Sequence, residues 1–232
     1  MDKDFSVLEK KIKSTFKNKD LLRQAVVHRS YLNENPSFHL GHNERLEFLG
    51  DAVLELVVTD YLYHTFSDAP EGAMTNWRAS LVNSEMLAKI GSAIGLDPLM
   101  YLSRGEAKEA GSKARKYILT NAFEALIGAI YLDRGYKAAE KFIHRFVLPE
   151  LPEILQKGLD VDPKSRFQEL AQEKMKITPR YEVLKEVGPD HAKNFTIGVY
   201  LGVDLVAQGE GTSKQEAQVA AAQAGLKAKG WS

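Results

Sequence analysis

In the stretch HNERLEFLGDAVLEL, His42 to Leu56, carboxylates stand at positions 44, 47 and 51. At about 100° per residue, a helix carries Glu44, Glu47 and Asp51 on one narrow face. Leu46, Leu49, Val53, Leu54, Leu56 and Val57 cover most of the rest, the pattern of a helix buried nearly all round. Acids lined up on such a helix raise one another's pKa unless a cation stands among them. Oxygen donors without nearby His or Cys suit Mg²⁺, a hard ion that prefers carboxylates and keeps several waters. The alternative is a helix whose acids pair with basic side chains or face water. Arg45 is the only Lys or Arg inside the segment, and the helical wheel points it away from the acidic face.

A second apolar helix, YILTNAFEALIGAIYLD, carries Asn121 and Glu124 three residues apart. Alone, the two could form a buried hydrogen-bonding pair or an exposed edge. Facing the first helix, they would complete one oxygen-rich cage for a metal.

The elements that must position these groups come in two textures. As far as about residue 147 the chain reads as successive helices: SVLEKKIKSTF with Ser6 as N-cap, KDLLRQAVVHRSYL, the acidic helix to about Phe66, then about 72–94, 115–133 and 136–147. GLDPLMYLSRGEAKEAGS reads as a connecting loop. LPEILQKGLDVDP is polar with two prolines, so the boundary is expected there: residues 1–150, a linker 151–161, and 162–232. Beyond it come a short helix, three strands and an alanine-rich helix, an α+β module with both helices on one face.

Composition narrows the function classes. Lys plus Arg number 31 and Asp plus Glu 31, so bulk charge points to no polyanionic partner. The absence of cysteine excludes disulfides, thiolate metal sites and thiol nucleophiles. The charged N-terminus and the short apolar run ALIGAIYL predict a cytoplasmic protein with no membrane span.

HNERLEFLGDAVL resembles the signature of ribonuclease III, the double-strand-specific RNA endonuclease, and the core NERLEFLGDA is highly specific. The resemblance continues through LLRQAVVHRSY, EGAMTNWRASLVNSEMLA and AFEALIGAIYLDRGY, covering most of residues 5–150. It implies an all-α endonuclease domain working as a symmetric homodimer. By motif position Glu47, Asp51 and Glu124 match the family's metal-binding carboxylates, Asp51 and Glu124 with direct catalytic roles. Glu44 and Glu71 match acids near the cleft and dimer interface, and Phe48 matches an aromatic that plugs into the partner subunit. Asn121 occupies a ligand position where the family usually has Asp; its amide oxygen can still ligate or orient, without charge. The implied chemistry is phosphodiester hydrolysis assisted by Mg²⁺, with Mn²⁺ as a substitute, leaving 5′-phosphate and 3′-hydroxyl ends. His28, in VVHRS, reads as a packing or hydrogen-bonding residue. Trp77 and Arg78 read as lying near RNA or in core and interface. Glu55 falls outside the family's pattern.

SRFQELAQ, GPDHAKNF and GTSKQEAQVAAAQAGL together resemble the double-stranded RNA-binding domain. A-form RNA is read through minor-groove 2′-hydroxyls and phosphates. Ser165, Gln168 and Glu169 offer polar groups for the former, and His191 could reach a further minor groove. Ser213 and Lys214 open the last helix, where free N–H groups and the helix dipole add to the lysine's charge on phosphate. Gln215 stands where the family often has a second lysine. Residues 163–232 hold ten Lys plus Arg against eight Asp plus Glu, a small excess that predicts salt-sensitive binding.

The leading expectation is a Mg²⁺-dependent endoribonuclease of double-stranded RNA, serving rRNA and structured-transcript processing. The alternative is a double-stranded RNA-binding protein whose catalysis Asn121 has weakened or abolished.

Overall fold

The apolar segments around the acids fold into two 22-residue helices, and the first unit is built on their contact. In the computed structural model, which describes residues 3–109, 111–157, 163–189 and 193–231, the order is as follows. Helices α1 (Ser6–Ile12), α2 (Lys19–Ala25) and α3 (Arg29–Glu34) precede the acidic helix α4 (Glu44–Thr65). Then come α5 (Glu71–Val82), α6 (Ser84–Ala93), α7 (Arg104–Lys108), the second long helix α8 (Lys113–Arg134), α9 (Tyr136–Phe146) and α10 (Leu151–Lys157). The remainder is α11 (Pro163–Met175), β1 (Arg180–Val187), β2 (Asn194–Leu201), β3 (Asp204–Gly211) and α12 (Lys214–Lys229). By contacts the chain divides into Met1–Asp160 and Val161–Ser232.

In the first unit α4 packs along α8, with α2, α6 and α9 around α8 and α5 on α4. From Ala122 to Ile130 α8 is buried except for Glu124, so that carboxyl interrupts an otherwise apolar core helix. Gly50 and Gly128 set the helix spacing. A Cβ on Gly50 would overlap the Glu124 carbonyl oxygen, and one on Gly128 would overlap that of Leu46. The backbones therefore touch at the level of the acids.

Several boundaries differ from the sequence reading. KDLLRQAVVHRSYL is two helices, because Val27 forms a parallel bridge with Tyr101. The Tyr101 N–H donates to the Val26 carbonyl at 2.8 Å, and the His28 N–H to the Tyr101 carbonyl at 3.1 Å. The 72–94 segment breaks at Asn83, whose side chain caps α6 by accepting from the Met86 N–H at 2.9 Å. The loop before α8 contains α7. Leu151–Lys157, read as linker, is α10, with Leu151 and Ile154 buried in the first unit's core. Phe5 rather than Ser6 is the N-cap of α1, and the Asp4 carboxylate accepts from the Ser6 N–H at 2.9 Å.

The second unit is an antiparallel sheet in the order β1-β2-β3, with α11 and α12 against it. Ile197, Val199 and Leu201 are buried on β2, together with Phe167 of α11. The small buried residues Ala217, Ala221 and Ala222 let α12 lie close on β3, where a Cβ at Gly209 would overlap the Ala221 N–H. This is the expected helix-strand-strand-strand-helix order.

Candidate functional site

Helix α4 begins at Asn43, which is 2% exposed although polar. Its side chain donates to the Ala25 carbonyl at 3.2 Å, and its N–H donates to the Val27 carbonyl at 2.9 Å. The side chain is thus spent on anchoring the helix rather than capping it. Glu44 and Glu47 follow in the first turn, where the helix dipole favours acids. Helix α8 starts with the Ser112 hydroxyl accepting from the Arg115 N–H at 3.0 Å. Thr120, also buried, ties it to α6 by donating to the Ser84 carbonyl at 2.8 Å. Sequence reading passed over Asn43 and Thr120.

Where α4 crosses α8, Glu47, Asp51, Asn121 and Glu124 come together. Burial, then Asp51 and Glu47, push the Glu124 carboxyl up to about 8. Burial, then Glu44 and Asp51, also raise Glu47, and a hydrogen bond from the Asn121 side chain partly offsets this. No basic group contributes to either shift. Electrically, then, the cluster holds an excess of negative charge that the surrounding chain leaves uncompensated. Among the described residues, no three His, Cys, Asp or Glu side chains stand close enough to form a ready-made metal cage. The acids form an open cluster instead. The donor set is nonetheless carboxylates and an amide, without thiol or imidazole, and it fits a hard divalent cation.

Other residues lie apart. Glu44 sits at the edge of the cluster, 3.6 Å from Arg29 and 3.7 Å from His42. A base thus reaches the first acid from outside its own segment. Glu71, exposed at the start of α5, accepts from the Thr75 hydroxyl at 3.2 Å. It lines a cavity of about 180 Å³ with Tyr63, Met74 and Arg78, and does not contribute to the Glu47 or Glu124 shifts. Phe48, next to Glu47, is 82% exposed, and Leu56 and Tyr63 continue the exposed apolar positions along α4. His28 caps α3: its Nδ1 lies 2.8 Å from the Ser30 hydroxyl, and burial lowers its pKa. Trp77 packs against Phe66 with ring centres 4.9 Å apart and planes tilted by 55°, and Arg78 donates to Thr59 at 3.0 Å.

In the second unit Ser165, Gln168 and Glu169 are exposed on α11. Lys164 donates to Gln218 at 2.7 Å, which brings the first turn of α11 beside α12. Ser213 caps α12 through its hydroxyl, accepting from the Glu216 N–H at 3.1 Å, while the Glu216 carboxylate accepts from the Thr212 N–H at 3.0 Å. Exposed Lys214 has its ammonium 5.7 Å from the centre of the Phe195 ring. His191 lies outside the described residues. Among the described residues no helix is long and apolar enough to cross a membrane.

Comparison with known proteins fits both units. Residues 18–151 match the ribonuclease-III-like family model, and residues 163–228 match the double-stranded RNA binding motif. A Ribonuclease 3 of Carboxydothermus hydrogenoformans is 46% identical over 228 residues, 97% of this chain and 96% of that one. One from Dehalococcoides mccartyi is 42% identical over 223 residues, 96% of this chain and 94% of that one. Among solved structures, the ribonuclease III nuclease domain of Campylobacter jejuni is 39% identical with a TM-score of 0.58, covering 64% of this chain and 99% of its own. That domain is described as structurally flexible in a region involved in dimer formation. With a helical unit carrying the acid cluster, an RNA-binding motif behind it, and full-length relatives above 40% identity, this chain belongs to the ribonuclease III family.

Proposed function

We propose that this protein is a divalent-metal-dependent endoribonuclease that cleaves double-stranded RNA, with Mg²⁺ as its ion and Mn²⁺ as a substitute. The products carry 5′-phosphate and 3′-hydroxyl ends, and the substrates are rRNA precursors and other structured transcripts of the cytoplasm. The observation that carries this reading is the uncompensated acid cluster at the α4–α8 crossing, in a chain of this family.

Glu47, Asp51 and Glu124, with the Asn121 amide oxygen, would hold the ion. When bound, it supplies charge neutralisation at the phosphate and a lowered pKa for water. The chain's own part is to pre-position the donors. The Gly50 and Gly128 contact fixes the two helices against each other, so an ion would draw the open cluster together by side-chain movement on a rigid frame. The Glu124 carboxyl, raised to about 8 by burial and by Asp51 and Glu47, holds a proton around neutrality that an ion bound there would displace. Asp51 and Glu124 face the reacting phosphate, while Glu44 and Glu71 shape the rim of the cleft.

An 82% exposed phenylalanine beside the site supports a homodimer. A two-fold copy would insert its own Phe48 reciprocally and cover both aromatics at once. We assign cleavage to residues 1–150 and duplex binding to 162–232, through Ser165, Gln168, Glu169, His191, Ser213 and Lys214.

The test is cleavage of a long perfect RNA duplex in Mg²⁺. The protein is expected to cut, and Glu124→Gln to bind the duplex without cutting. If the protein binds and only Asn121→Asp cuts, it is instead a duplex-binding member that Asn121 has silenced.

A further inference from the structure

Lys164, in the first turn of α11, reaches across the seam to α12, where its ammonium donates to the Gln218 side chain at 2.7 Å. The same ammonium stands 5.3 Å from the centre of the Tyr181 ring on β1. Two anchors thus fix the head of a side chain that is otherwise long and free to rotate. An ammonium only donates, so the amide oxygen of Gln218 is the acceptor and its NH₂ group keeps its donors. Among the described residues no carboxylate pairs with Lys164, whereas Arg166, Arg180 and Lys193 of the same unit stand against Glu169, Glu182 and Glu186. An amide and an aromatic face hold the ammonium without cancelling its charge.

Gln218 lies four residues beyond Lys214 on α12, so the two share one face, about 6 Å apart along the axis. Lys214 is likewise held on an aromatic ring, that of Phe195, with no carboxylate partner among the described residues. Between them α12 supplies no cation of its own, since positions 215 and 218 are both glutamine. Lys164 therefore puts a positive charge on α12, one turn beyond Lys214, from the neighbouring helix. Successive phosphates along one RNA strand are spaced on the same scale.

Resting on the duplex-binding reading above, we propose that Lys164 is a further RNA-binding residue: held by Gln218, its ammonium takes the backbone phosphate next to the one that Lys214 takes. The free NH₂ of Gln218 donates to the same phosphate. The phosphate grip of α12 is thus assembled from two helices. Because the contact is to the backbone, it adds affinity and salt dependence for any duplex, and no sequence preference.

The test is binding of the full-length protein to a fluorescently labelled, perfect RNA duplex, in EDTA over a series of KCl concentrations, with melting temperatures alongside. Lys164→Gln is expected to lower the slope of log K against log salt by about 1, and Lys164→Arg, which keeps the charge, to hold the parent's slope. The double variant with Lys214→Ala should lose about 2. Gln218→Glu separates charge from architecture. It keeps or strengthens the tie to Lys164, so the protein should melt no lower than the parent, yet its carboxylate cancels the ammonium and duplex binding should weaken. A folded Lys164→Gln protein with the parent's slope would overturn the proposal, as would Gln218→Glu binding like the parent; Lys164 would then only tie the helices together. Failure of the duplex-binding reading looks different: the parent itself would leave the duplex free, and the assignment of Lys164 would fall with it.

Discussion

Gly50 and Gly128 bring α4 and α8 into backbone contact at the level of the acid cluster. The group that a side chain on Gly50 would strike is the carbonyl of Glu124 itself, so the spacing of the helices and the placement of that carboxyl are one constraint. Gly50→Ala should therefore destabilise the protein by about 2 kcal/mol through overpacking. It should also push Glu124 away from Asp51, with cleavage falling further than stability explains. Urea denaturation and cleavage rates on the same preparation check this; an unchanged denaturation midpoint would refute it.

The protonation of Glu124 makes metal-free stability depend on pH. Its folded-state pKa is raised to about 8, so between the ordinary carboxylate range and pH 8 the folded state binds more protons than the unfolded one. Stability from this group is fully present below that range and is lost as pH rises through about 8. Melting in EDTA should thus fall between pH 6 and pH 9, and Glu124→Gln should flatten the fall. Mg²⁺, which favours the ionised form, should bind more tightly as pH rises over the same interval.

The proposed homodimer would give Phe48 a role in assembly distinct from that of the acids on the same helix. Phe48→Ala should weaken self-association by roughly ten- to a hundredfold, the usual cost of losing a central aromatic anchor. Sedimentation equilibrium would read it directly. A parent already monomeric at micromolar concentration would sink the homodimer.

Lys214 faces a different test, because phosphate contacts carry salt dependence and little sequence preference. Lys214→Ala should weaken duplex binding uniformly across sequences and reduce the slope of log K against log salt by about 1. The neighbouring Ser213→Ala should act instead through the helix, costing about 1 kcal/mol of stability as its cap is lost. An unchanged salt slope for Lys214→Ala would remove it from the phosphate-binding set.

The two site helices were legible from sequence because apolar periodicity over 22 residues leaves few alternatives, and the acids stood out against it. The helix, three strands and helix of the second unit were legible from the change of period. What stayed hidden depends on long-range backbone pairing. Val26 and Val27 fit a helical pattern, yet the Val26 carbonyl accepts from the distant Tyr101 N–H, and the His28 N–H beside Val27 donates to the Tyr101 carbonyl. Helix α10 was masked by Pro152 and its polar surroundings, although Leu151 and Ile154 keep helical spacing and are buried. The meeting of the α4 and α8 acids crosses two helices, and spacing within either one could not reveal its geometry.

The bridge between Val27 and Tyr101 has a consequence for how the molecule breathes. The N–H groups of Asn43, His28 and Tyr101 all bond around this one bridge, and Asn43 is the foot of α4. These three amides should exchange with solvent together, as one opening unit rather than as independent loop positions. The start of the acidic helix then loosens only when that whole clasp opens, so over the lifetime of a single closure the first acids of the cleft keep a fixed address.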